Sequence, residues 1–174
     1  MKGVNGTIFM MVDEKITIEK YNSAWSAQFN SEFTLLLSIL YNARGIEHIG
    51  STAVNGMIAK PIIDILIGKD EVSLSDDEFN ALKKLDYEYL GEAGVPGRIH
   101  LRKRKEYNFN LSIVKFESPL WENNIKFRNY LRENKNYAKK YAEHKLKIYN
   151  EGCHYLLEYS KAKAQMINMI LEKL

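Results

Sequence analysis

Residues 47–68 read EHIGSTAVNGMIAKPIIDILIG, and this stretch decides the fold. Residues 46–49 make a short strand, Gly50-Ser51-Thr52 a turn, and Lys60 sits in the loop leading to a second strand over 62–67. That second strand is apolar on both sides of Asp64, the pattern of a central strand covered on both faces. A turn with free backbone N–H groups and hydroxyls can hold phosphate. A carboxylate on the neighbouring strand can hold a hard cation such as Mg²⁺. Together these are the minimal parts of a nucleotidyl-transfer site. Each also has a plainer use. Ser51 and Thr52 equally close a turn or cap a helix. Asp64 needs either a cation or ligand, or an ion pair with Lys60 or Arg98. Lys60 is either a mobile phosphate contact or a solvated loop lysine. His48, just before the turn, fits a packed strand histidine better than a catalyst.

Upstream, Ile16 and Ile18 alternate with Thr17 and Glu19 as in a short strand. Ser23 is the expected N-cap of a helix carrying Trp25, Phe29, Phe33, Leu36, Leu37 and Leu40 at helical spacing, ending near Gly45. Downstream, residues 73–77 cap a helix that runs through Leu85. The acids Asp70, Glu71, Asp76, Asp77 and Glu78 at its start suit the helix dipole better than a metal. Residues 87–90 form a short strand, and 91–97 (GEAGVPG) a turn-rich loop. Residues 98–103 and 109–114 are antiparallel strands joined through the basic segment RKRKEY. Alternation sends Arg98, His100, Arg102 and Arg104 to one face. Such a face suits an anionic substrate, whereas Lys103, Arg104 and Lys105 also fit a solvated hairpin tip. From Ser118 onward three helices follow, at about 120–131, 137–149 and 154–174.

The chain has 174 residues, 45% hydrophobic and 27% charged, enough for one domain with a core. The expected division is an N-terminal arm over 1–15 and a single domain over 16–174, sheet-containing to about 117 and helical beyond. A net charge of +3 permits a polyanionic ligand without the strongly basic balance of a dedicated nucleic-acid binder. Cys153 is the single cysteine, which excludes an internal disulfide and suits a reducing, cytoplasmic setting. No apolar run approaches the roughly 18 residues of a membrane span, and the first residues do not read as a signal peptide.

HIGSTAV, AKPIIDILIG, GEAGVPGR and FRNYLR, with the Tyr141/Lys145 and Tyr155/Lys161 pairs, resemble the GrpB-like family from about Ile16 to the C-terminus. That resemblance implies an α+β, nucleotidyltransferase-like fold: a mixed sheet with flanking helices and a helical C-terminal part. The wider superfamily transfers nucleoside monophosphates with two Mg²⁺ ions, held by a pair of acids two residues apart on the strand after a Gly-Ser turn. Gly50 and Ser51 match the turn and Asp64 the first acid, but Leu66 stands where the second acid belongs. Asn55, the Asn110-Leu111-Ser112 run and Asn129 also depart from the family pattern of proline, a histidine-rich strand and aspartate. The loss at Asn110 and Ser112 removes candidate metal ligands and bases.

The residues and the resemblance together point to Asp64 as metal ligand and catalytic residue, with Gly50, Ser51, Thr52, Lys60, Arg98, Arg102, Arg128 and Lys145 around the phosphates. The partner is a nucleotide or other phosphorylated small molecule with Mg²⁺, and the reaction, if any, is nucleotidyl transfer to a small acceptor. The missing acid keeps a second reading open, a non-catalytic binding module on the same fold. Glu47, Glu92 and Glu117 are the residues that could replace the missing acid in space.

Overall fold

The computed structural model describes residues 13–173; the first twelve residues of the expected N-terminal arm lie outside the described residues. The described chain runs α1 (Ala24–Ile39), β1 (Gly45–Ile49), β2 (Ile63–Lys69), α2 (Asp76–Lys84), β3 (Glu88–Tyr89), β4 (Ile99–Arg104), β5 (Asn108–Lys115), α3 (Pro119–Glu133), α4 (Lys135–Asn150) and α5 (Leu156–Leu171). The strands form one mixed sheet in the order β1-β2-β5-β4-β3. β2 pairs antiparallel with β1 and parallel with β5, while β4 is antiparallel to both β5 and β3. This is the α+β arrangement expected from the sequence, helical C-terminal part included.

Strand alternation splits the sheet into two unlike faces. Ile63, Ile65, Ile67, Leu101, Phe109, Leu111 and Ile113 pack with Trp25, Leu36 and Leu40 of α1 and Leu82 of α2 in the main core. The opposite face is apolar at one end, where Leu66 and Val114 meet Trp121 of α3. Every residue of β2 is buried except Asp64, which stays half-buried because the helical layer leaves a cleft above it. Buried polar groups on the core side are paired: Glu32 accepts from Tyr87 Oη (2.9 Å) and Lys103 Nζ (3.0 Å), and Lys69 bonds Glu78 (2.9 Å).

Several local expectations shift. Residues 16–18 form no strand; isolated bridges join Lys15 to Tyr155 and Glu19 to Ala59, because backbone partners are offered from two separate segments. Ser23 occupies the N-cap position of α1 but makes no capping bond; Asn22 Oδ1 instead accepts from Ala24 N–H (2.9 Å). Ser75 heads α2 in a reciprocal capping box with Glu78. The basic hairpin is a solvated tip only at its end. Arg102 pairs with Glu88, Lys103 with Glu32 and Arg104 with Glu14, while Lys105 is exposed and meets the equally exposed Asp86 at 3.4 Å.

Gly45 and Gly68 face each other across β1 and β2 beneath an aromatic lid. A Cβ on Gly68 would stand 2.6 Å from Phe116 and 3.0 Å from Trp121. Gly68→Ala is expected to lower stability by about 1–3 kcal/mol through overpacking. Thermal unfolding checks this; an unchanged melting temperature would show that the lid shifts freely.

Candidate functional site

The cleft above Asp64 has a volume of about 890 Å³. Its floor is the sheet face of Asp64, Asn110, Ser112, His100, Arg102 and Arg104, and one wall is the 3₁₀ turn Ser51–Ala53 after Gly50. The 90–98 loop and helices α3, α4 and α5 close the other sides. The alternation read from the sequence holds, since Arg98, His100, Arg102 and Arg104 all line the cleft.

Asp64 is positioned by a relay across three strands and the N-terminal segment. Glu14 accepts from Arg104 (2.6 Å), Arg104 Nη2 donates to Asn110 Oδ1 (2.8 Å), and Asn110 Nδ2 donates to Asp64 Oδ1 (2.8 Å). Asp64 and Asn110 are register partners of the parallel β2–β5 pair, which is why the amide reaches the acid. Among the described residues Asp64 forms no salt bridge, with Lys60 or Arg98 or otherwise. Arg98 is spent on the loop, donating to the carbonyls of Glu92 (3.1 Å) and Ala93 (3.0 Å).

The cationic wall comes from three elements. Lys145 of α4, 1% exposed, donates to Ser51 Oγ (2.9 Å) and to the Ile58 carbonyl, and its amine lies 4.9 Å from the Tyr141 ring centre. Burial, reinforced by Lys163 and Lys60, pushes the Lys145 amine down to about 6. Lys163 of α5 lies 4.8 Å over the Tyr159 ring. Burial and Lys60 bring its amine down to about 7, with Asp64 opposing. Lys60, before β2, is likewise lowered by burial against the pull of Asp64. His100, bonded to Ser112 Oγ (3.2 Å), is pushed down to about 4 by burial and then by Arg98.

The expected residues sort clearly. Gly50, Ser51, Thr52, Lys60, Asp64, Arg98, Arg102 and Lys145 all line one cleft. Arg128 does not. It is buried beneath β1, where it bonds Glu47 (2.5 Å) and donates to the His48 carbonyl (2.9 Å), because strand alternation turns Glu47 toward α3. The Thr52 hydroxyl is taken by His48 Nε2 (2.9 Å), and that ring stacks on Phe29 at 4.7 Å. His48 is thus a packed strand histidine, held down to about 4 mainly by burial. Sequence reading missed Lys163 and Tyr159 while noticing Lys161. The i, i+4 spacing of Tyr159 and Lys163 in phase with Ile167 was the available signal.

The donor set does not fit a protein-held pair of Mg²⁺ ions. Asp64 is the one carboxylate lining the cleft among the described residues. Glu47 is bound to Arg128, Glu92 accepts from Gly97 N–H (2.7 Å), and Glu117 lies outside the lining. Among the described residues no three histidines, cysteines or acids gather into a metal-ligand group. Two hard cations need several oxygen ligands, and here lysines and arginines surround a single acid.

The family model described as GrpB protein matches residues 15–173. Glutamate-rich protein GrpB of Alkalihalophilus pseudofirmus is 29% identical over 169 residues, covering 92% of this chain and 96% of that protein. UPF0157 protein YqkA of Bacillus subtilis is 30% identical over 88% of this chain, which spans only 45% of YqkA. The crystal structure of the conserved protein GrpB from Enterococcus faecalis superposes with a TM-score of 0.78 at 33% identity, covering 90% of this chain and 98% of that one. With nearly the whole described chain inside the family model, and a solved relative sharing its architecture end to end, this chain belongs to the GrpB family.

Proposed function

We propose that the cleft binds a phosphorylated small molecule, a nucleotide or a related phosphate compound. The observation that carries this reading is a cleft in which one acid, Asp64, stands among Lys60, Lys145, Lys163 and Arg104. Amines lowered by burial and mutual repulsion are relieved by an anion. Val95, Leu120, Phe127 and Ile167 line the same cavity and supply an apolar region for the rest of such a ligand. A small ligand fits better than nucleic acid, because the charge is recessed in a cleft and the exposed basic hairpin is ion-paired. Nucleotidyl transfer would need the second acid that Leu66 replaces, so binding without turnover is the reading the geometry favours. The half-buried Cys153 suits a reducing, cytoplasmic setting. Among the described residues no helix is long and apolar enough to cross a membrane.

Thermal-shift titration with each nucleoside triphosphate and with pyrophosphate tests the reading. An upward shift with at least one is expected, and no shift at millimolar concentration with any would sink it. Asp64→Asn gives the sharper result. Removing the one negative charge facing the anion is expected to tighten pyrophosphate binding by at least about tenfold at low ionic strength, the effect of unit charges about 12 Å apart at an effective dielectric near 20 and larger for any closer approach. Loss of binding in that variant would instead make Asp64 a cation ligand.

A further inference from the structure

We propose that Lys60, Lys163 and Tyr159 form a metal-free seat for the ligand's terminal phosphate, the two amines supplying the positive charge that Mg²⁺ supplies in two-metal sites. This rests on the reading of the cleft as a phosphate site and goes further by naming the groups that hold the phosphate and the ion they replace. Three observations support it. First, Lys60 and Lys163 both line the cleft, and neither has a hydrogen-bonding or ion-pair partner among the described residues. Of the other cationic groups there, Lys145 is engaged by Ser51 and Ile58, Arg98 by the loop carbonyls, Arg104 by Glu14 and Asn110, and Arg102 by Glu88, while Lys161 lines the cleft as a solvent-exposed side chain. Second, Tyr159 is 1% exposed and its phenol oxygen is buried with no hydrogen-bond partner, although its ring carries the Lys163 amine. A buried hydroxyl without a partner costs about 1–3 kcal/mol, a cost that a ligand oxygen reaching this hydroxyl and accepting its hydrogen bond would remove. Third, the acid set that would hold a metal is absent from the cleft lining, where one carboxylate stands among the cations.

The seat couples binding to protonation. Lys163 faces Tyr159 on its own helix, Lys145 on α4, Lys60 before β2, and Asp64 on β2. Lys60 faces Asp64, Arg104 and Glu14 as well. With its amine near 7 in the ligand-free cleft, Lys163 is largely neutral above that pH. A phosphate dianion raises the amine's proton affinity, so a proton is drawn from solvent as the anion enters. Affinity therefore falls as pH rises above about 7, by up to about tenfold per unit for each proton taken up.

The test is calorimetric titration of the full chain with inorganic tripolyphosphate, in EDTA and in Mg²⁺, in buffers of differing ionisation heat. Expected results are affinity in EDTA within about twofold of that in Mg²⁺, and about tenfold weaker binding at about pH 8.5 than at about pH 7 with net proton uptake. Lys60→Gln and Lys163→Gln should each weaken binding about tenfold and Tyr159→Phe several-fold, in line with lost charge-assisted contacts. Lys163→Arg keeps the charge and should bind while losing the pH dependence, which guards against variants that simply fail to fold. Binding that disappears in EDTA overturns the metal-free seat and leaves the phosphate reading standing. Metal-free binding indifferent to Lys60→Gln and Lys163→Gln also overturns the seat. Absence of binding under every condition overturns the phosphate reading itself.

Discussion

The melting temperature of the ligand-free protein is expected to climb by about 5–10 °C between about pH 6 and about pH 9, a rise of about 2–4 kcal/mol in stability. The source is chiefly Lys145, 1% exposed and with its amine pushed down from 10.5 to about 6. Between those two values the unfolded chain holds a proton on this amine that the folded chain has released. Stability rises with pH wherever the unfolded state binds more protons. The penalty is therefore greatest at and below about pH 6 and fades toward 10.5. Lys163, lowered to about 7, acts with the same sign over a narrower window. His48 and His100, lowered from 6.5 to about 4, extend the slope to acid pH. The climb ends near pH 10, where the buried phenols of Tyr87, Tyr141 and Tyr159, all raised chiefly by burial, resist an ionisation open to the unfolded chain. Lys145→Met should flatten the slope and raise the melting temperature near neutral pH, even though Ser51 Oγ and the Ile58 carbonyl lose a donor. Melting curves across pH check both. A flat wild-type profile, or a Lys145→Met variant with an unaltered slope, would show that this amine is not desolvated as its burial implies.

The same lysines explain what the sequence could and could not disclose. The apolar run of β2 on both sides of Asp64 and the Gly-Ser turn locate the sheet and the floor of the cleft, since both are local features with local causes. Asp64 stood out because a carboxylate in an apolar strand is costly wherever it points. The alternation of Arg98, His100, Arg102 and Arg104 correctly assigned a whole face. Partners set by tertiary contact were beyond reach. Arg128 looks like a site arginine on a helix surface until Glu47 turns out to point toward α3 and claims it. Lys103 looks solvated until α1 supplies Glu32, whereas Lys105 does remain at an exposed tip. Lys163 resembles any helical lysine; both it and Lys161 line the cleft, and only the packing of α5 makes Lys163 half-buried while Lys161 stays exposed. Asn110 reads as a lost histidine, yet its amide links Arg104 to Asp64, a role set by strand register. The leucine at position 66, where the resemblance expects a second acid, and the amines opposite Asp64 are the two features on which the proposed metal-free seat rests.

Gly50→Ala is expected to lower stability by about 2–4 kcal/mol and to weaken phosphate binding more than tenfold, and the two effects have separable causes. At φ +72° and ψ −168°, Gly50 occupies backbone space that is essentially closed to residues with a side chain. A Cβ there would also stand 2.6 Å from Asp64 Oδ2 and 3.3 Å from Asp64 Cβ. One of the two must move. Asp64 is held by Asn110, so the turn is the softer element, and with it goes Ser51, whose hydroxyl meets Lys145. Displacing that contact disturbs the acid and the cationic wall together. Gly56→Ala is the matched control. It too has a left-handed φ, +77°, but an added Cβ meets nothing within 4 Å. It should cost about 1 kcal/mol in melting experiments and leave phosphate affinity unchanged. Equal loss of binding in the two variants would mean that conformational strain alone, rather than close approach of the turn to Asp64, governs the cleft. Loss confined to Gly50→Ala would tie the phosphate site to the meeting of turn and strand around Asp64.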